Sequence, residues 1–337
     1  MPCTRDATAF ETVATLPGRD YGTPNDEAIL LSTHVDGPSI VEDNGGLGIL
    51  AVLNYYAKIP QAERPKSIVV YFESRHFIPG TEPSYPLNIL EEEPERFKTV
   101  VGGLALEHFG GLQFAETDNN YFATGRAATT YIWGWPNPLA IEEATNAIKQ
   151  QNVPRAINMV PARPGVNGGA QLNWLGGGFA RHLVELGGLP GWHISGDWPS
   201  AGFQAYYPSA KTRISTDVFM KQTAAAVQLV NVLMSKDLVA LAPAWGYLQI
   251  GVTLLEPNAF LDQSQGAQGR AALSRDFDGV FDLVKAARYR DVPARLQAMS
   301  ANADRLLTPA SATTLKATIA VAGRMAERGA ARQARAL

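Results

Sequence analysis

The sequence predicts an α/β fold in three layers, with a mostly parallel central sheet between helices and a helical C-terminal extension. Three observations predict it. Short apolar runs alternate with amphipathic stretches from about residue 28 to residue 235, the pattern of strands buried on both faces with helical crossovers between them. The clearest of these runs end in polar residues, and open parallel sheets hold their ligands at the carboxyl ends of strands. Beyond residue 238 the character changes to alanine-rich helical spacing, interrupted by Pro243, Pro257 and Gly266. The expected division is an α/β domain over 1–237 and a helical extension over 238–337.

Residues 28–33 (AILLST) read as a buried strand. Residues 45–58 place Leu47, Leu50, Ala51, Leu53 and Asn54 at helical spacing and stop before Pro60. Residues 67–72 (SIVVYF) are β-branched and aromatic and read as a second strand. A short helix around 94–98 leads into a third, 100–106 (VVGGLAL). Helices are expected over 138–151, 179–186 and 217–234, with a Pro- and Gly-rich loop over 153–169 and a short strand over 191–194. In the extension, 271–288, 293–305 and 310–326 read as helices.

Composition narrows the function. The chain of 337 residues is 46% hydrophobic and 18% charged, with a formal net charge of -3. That balance suits a soluble domain with a sizeable core and offers no electrostatic footprint for nucleic acid or an anionic membrane. No apolar run of about 18 residues is present, so no membrane span is expected. The start MPCTRDATAF lacks the basic and apolar pattern of a secretory signal, which makes the cytoplasm the expected location. Cys3 is the one cysteine, so no disulfide can form within the chain. No Gly-x-Ser-x-Gly elbow points to a serine hydrolase, and the glycine clusters at 176–178 and 187–188 lack the context of a phosphate loop.

The chemistry lies at the strand ends. The five histidines are His34, His76, His108, His182 and His193. Three of them fall beside a carboxylate near the end of a predicted strand: His34 with Asp36, His76 after Glu73, and His108 after Glu107. Imidazole and carboxylate are the ligands a zinc-type ion takes, and a further carboxylate can remove a proton from water. If strand alternation runs through 107–108, Glu107 and His108 point to opposite faces and cannot both reach one ion; a structural role is expected for His108. His193 and Asp197 are weaker candidates, and one or two of Trp133, Trp135, Trp174, Trp192 and Trp198 are expected to line a substrate pocket.

The order of these motifs resembles the zinc aminopeptidase family, which includes glutamate carboxypeptidase and glutaminyl cyclase. The resemblance rests on His34-Val35-Asp36, on Asp43-Asn44-Gly45-Gly46 opening a helix, and on the strand that runs into Glu73; it covers roughly residues 10–235. It implies that His34 is a metal ligand oriented by Asp36, that Asp43 is the carboxylate shared by two metals, and that Glu73 is the general base. Glu107 stands where the family has an aspartate ligand. Two positions depart from the pattern. Ser74 replaces a glutamate ligand, and Arg213 aligns with a ligand histidine, although a guanidinium offers no lone pair.

One metal site, of His34, Asp43 and Glu107, is therefore expected, with zinc the expected ion or no metal at all. His76 and Arg213 are candidates for the vacated position. The function this implies is metal-assisted hydrolysis of an amide or peptide bond in a small-molecule or peptide substrate. The alternatives are a metal-free enzyme using Glu73, His76 and Arg213 for other chemistry, and a non-catalytic binding homologue. Homo-oligomerisation through the C-terminal helices is also expected.

Overall fold

The computed structural model describes residues 10–35, 44–74, 94–117, 120–159, 188–196 and 214–336. Of the positions singled out in the sequence, Asp36, Asp43, His76, Trp174, His182, Asp197, Trp198 and Arg213 lie outside the described residues, as does the helix expected over 179–186. The chain divides into two compact units. Among the described residues, one comprises those within 10–134, 143–159 and 188–236; the other comprises 135–142 and 237–336.

The first unit is built on a seven-stranded sheet. Its strands are β1 (Thr12–Leu16), β2 (Ala28–His34), β3 (Ser67–Glu73), β4 (Val100–Glu107), β7 (Thr130–Gly134), β8 (Ala156–Asn158) and β9 (Gly191–Gly196), in the order β1-β3-β2-β4-β9-β7-β8. A separate hairpin pairs β5 (Leu112–Thr117) with β6 (Asn120–Ala127). The four central strands β3, β2, β4 and β9 are mutually parallel. Strand β1 runs antiparallel on β3, and β7 runs antiparallel on β9. Every residue of β2 and β9 is buried, as expected for strands inside a sheet covered on both sides, and the apolar run Ala28–Leu31 is what marks β2 in the sequence.

Helix α1 (Gly45–Ala57) crosses from β2 to β3, and helix α3 (Thr216–Ser235) lies beside it on the same face of the sheet. The approach of α1 is close. A Cβ on Gly45 would lie 2.0 Å from the Leu106 carbonyl oxygen and 2.4 Å from Thr33 Oγ1, so only glycine fits where the helix starts. Helix α2 (Pro138–Gln150) neighbours α3, with Gln228 bonded to Gln150 and Gln151. On the opposite face, Ala28, Leu30, Val69, Tyr71 and Val100 pack with Phe97 from a helical turn at Pro94–Phe97.

The second unit is mostly helical. It contains α4 (Pro243–Thr253), α5 (Gly266–Lys285), α6 (Val292–Leu306) and α7 (Pro309–Ala336), packed on a core that includes Trp245, Phe277, Val280, Met299 and Leu315. Pro243, read in the sequence as a break, instead opens α4 at the first helical position, where proline costs no hydrogen bond and its fixed φ suits the helix. No helix among the described residues is long and apolar enough to cross a membrane.

Candidate metal centre at the strand ends

Four neighbouring strands deliver polar residues to one place. In the sheet register, His34 at the end of β2 lies opposite Glu73 at the end of β3, and the Val35 N–H donates to the Glu73 carbonyl at 2.7 Å. Leu30 is paired with both Val69 and Gly103, Ala105 with His193, and Glu107 with Ser195. Paired residues share a face and alternate residues return to it. Glu73, His34, Glu107, His193 and Ser195 therefore emerge on the same face of β3, β2, β4 and β9. Together with His108 they are buried, between 2% and 7% exposed.

His108 departs from strand alternation. Its φ is 53°, in the left-handed region that histidine enters more readily than most residues. The chain leaves β4 in a turn there, and the ring stays on the side of Glu107. His34, Glu107 and His108 each offer a ligand atom, and those atoms all lie within 4.8 Å of one another. The His34 and His108 rings meet edge to face with centroids 6.0 Å apart. The expected opposition of Glu107 and His108 does not hold, because alternation requires extended backbone at both residues.

The turn is fixed from three directions. Asn44, at the start of α1, accepts the Phe109 N–H at 2.6 Å through Oδ1 and donates its Nδ2 to the Phe109 carbonyl. Its side chain does not cap α1. Gln222 on α3 accepts the Gly110 N–H at 2.5 Å and donates to Thr130 Oγ1 at 2.9 Å. From β9, Gly196 lies so close that an added Cβ would sit 2.3 Å from the His108 carbonyl oxygen.

Strand β9 also reaches the site with its side chains. His193 Nε2 lies 3.1 Å from Glu107 Oε2, and Trp133 packs on the His193 ring with centroids 5.0 Å apart, tilted by 33°. Ser195 Oγ lies 3.0 Å from His108 Nδ1. Burial pushes the Glu107 carboxyl up, but His193 beside it, followed by His34 and His108, outweighs that cost and holds the group well below the usual carboxylate range. The three imidazoles that face Glu107 thus favour its ionised form against the cost of burial.

Of the residues expected at the site, the structure brings His34, Glu73 and Glu107 to adjoining strand ends. His108 joins them. In the sequence, His193 is one of the weaker candidates and Ser195 is not a candidate. Their signal was nonetheless present: His193 and Ser195 alternate with Trp192 and Ile194 in a buried strand, and polar residues spaced by two in such a run share a face. Among the tryptophans, Trp133 touches His193 and Trp192 is fully buried, while Trp135, in the second unit, packs on Tyr247.

No family model and no curated protein sequence matches the chain. Among solved structures, it is similar to BSAP, a zinc aminopeptidase from Bacillus subtilis, at 13% identity and a TM-score of 0.43 over 67% of this chain and 50% of that one. An aminopeptidase from Aneurinibacillus sp. strain AM-1 is similar at 14% identity and a TM-score of 0.41, over 66% of this chain and 47% of that one. A glutaminyl cyclase from an Acidobacteriales bacterium is similar at 13% identity and a TM-score of 0.41, over 67% of this chain and 74% of that one. The match spans about half the length of the two aminopeptidases. These are distant likenesses of fold.

Proposed function

We propose that the chain is a metal-assisted hydrolase of an amide or peptide bond, with one divalent ion of the zinc type held by His34, Glu107 and His108. The buried cluster of these three side chains, with ligand atoms within 4.8 Å, carries the reading. The donor set fits such an ion. Two imidazoles and a carboxylate are ligands zinc takes, and three protein ligands leave a position for water or substrate. Buried ionisable groups are costly unless compensated, and a cation among them supplies that compensation.

Bound there, the ion would polarise a carbonyl oxygen and make a water molecule more acidic. Glu73, beside His34 in the register, is the group proposed to accept the proton of that water and return it to the leaving amine. His193 holds Glu107 from the side away from β2, on strand β9. Asp36 is the proposed orienting partner of His34, Asp43 a further ligand, and His76 and Arg213 further polar groups of the site. Zinc aminopeptidases and glutaminyl cyclases, the kinds of protein the fold is similar to, suggest substrates with a free amino terminus or a small amide.

A second reading is a metal-free enzyme on the same scaffold. The observation that favours it is the His193–Glu107 contact, which gives the carboxylate a partner without any ion. One experiment separates the two. Protein purified without chelators and supplied with zinc is expected to retain about one equivalent of metal per chain by elemental analysis. Glu73→Gln is expected to keep that metal and lose about 10²- to 10⁴-fold in turnover across a panel of aminoacyl amides and amino-terminal glutaminyl peptides. Clearly substoichiometric metal in the wild type rejects the metal reading, and full activity of Glu73→Gln removes Glu73 from the mechanism.

A further inference from the structure

Strand β9 holds a second inference, which deepens the proposed function and, for its metal-related part, rests on it. We propose that Ser195 is a positioning residue that locks the His108 ring in one neutral tautomer, with the proton on Nδ1 and the lone pair on Nε2. Proton counting leads to this assignment. A serine hydroxyl carries a single proton. Ser195 Oγ donates to the Gly196 carbonyl at 3.1 Å, and the same oxygen lies 3.0 Å from His108 Nδ1. With its proton committed to Gly196, Ser195 meets His108 as an acceptor, so Nδ1 is the donor. A neutral imidazole has one N–H and one lone pair; Nε2 is then the ring nitrogen able to bind a metal.

The local geometry supports a lock rather than a passing contact. Ser195 and His108 are both buried. The Gly196 backbone packs against the His108 carbonyl, so the acceptor of the Ser195 proton and the residue being oriented belong to one tight junction. The left-handed backbone of His108 and the clamp on Phe109 fix the other side of the ring's attachment. A ligand histidine whose second nitrogen is held by a hydrogen-bond partner has its ring orientation and tautomer set in advance, which strengthens metal binding.

The test reads the tautomer directly, without metal. Histidine ring nitrogens are labelled with 15N, the His108 signals are assigned by their loss in His108→Gln, and ring correlations are recorded on the metal-free full chain at mildly alkaline pH. The expected wild-type signature is the Nδ1–H form, and Ser195→Ala is expected to shift the ring toward Nε2–H. An Nε2–H ring in the wild type overturns the proposal, as does an unaltered Nδ1–H ring in Ser195→Ala. The wild-type measurement needs no change at position 195, so a poorly folding variant does not remove the test.

A second arm titrates zinc. Ser195→Ala is expected to bind about 10- to 100-fold more weakly than wild type, and Ser195→Thr, which keeps the hydroxyl, to recover most of that loss. Equal zinc affinity in wild type and Ser195→Ala overturns the positioning role. A wild type that binds no zinc sinks the metal reading of the site, while the tautomer assignment is decided by the nitrogen spectra alone.

Discussion

At Gly196 a single methyl group would reach the candidate centre. The added Cβ would meet the His108 carbonyl oxygen at 2.3 Å and the His108 Cβ at 3.1 Å, and β9 has no slack to withdraw because it is hydrogen-bonded on both sides. Gly196→Ala is expected to cost about 1–3 kcal/mol through forced displacement and to push His108 away from Glu107 and His34. Thermal unfolding and zinc titration of the same variant check the two halves of this expectation. A variant with wild-type stability and wild-type zinc affinity would show that the junction yields freely. Glu107 illustrates the opposite case, in which neighbours favour the residue: its imidazole partners, His193 first, offset the cost of its burial.

Among the elements, the turn that follows β4 matters most. Asn44 satisfies both backbone groups of Phe109, so Asn44→Ala leaves a buried donor and a buried acceptor, each worth about 1–3 kcal/mol. Urea unfolding is expected to place the midpoint of Asn44→Ala well below that of wild type, and an unchanged midpoint would contradict the clamp. The strand ends themselves were legible in the sequence, because 28–33, 67–72 and 100–106 are apolar runs that stop at polar residues. The position of His108 was not. It depends on a turn held by Gln222, 112 residues away from Gly110, and by Gly196, and no local pattern encodes either contact. Strand β1 was also missed; the burial of its TVATL segment is mixed, and its pairing comes from β3 rather than from its own hydrophobicity. Helix α4 was hidden by reading Pro243 as a stop rather than a start.

On the scale of the whole molecule, the helical unit carries an alkaline sensitivity of its own. In the helical unit, burial and then the hydrogen bond to Asp237 raise the Tyr289 phenol well above its ordinary value. A raised folded-state value means that the stabilisation is complete below the ordinary phenol range, near pH 10, and is lost as pH climbs from there toward the folded value. Tyr289→Phe is expected to unfold at lower urea at neutral pH and to lose less additional stability than wild type above about pH 10. Parallel alkaline profiles for the two proteins would contradict this.

The place of β9 in the sheet has a consequence for how the first unit is assembled. It sits between β4 and β7, yet it follows both in the chain. Without β9, β1, β3, β2 and β4 would be one ribbon and β7 with β8 another. The gap is closed by the strand that carries His193 and Ser195, whose pairings to β4 join residues 88 positions apart in the chain, and such distant pairings form late and slowly. A chain halted before β9 would hold Glu73, His34, Glu107 and His108 but neither partner that orients them. If His34, Glu107 and His108 hold an ion as proposed, zinc added during refolding would act as a latch on the finished sheet, slowing its opening while leaving the rate of closing nearly unchanged.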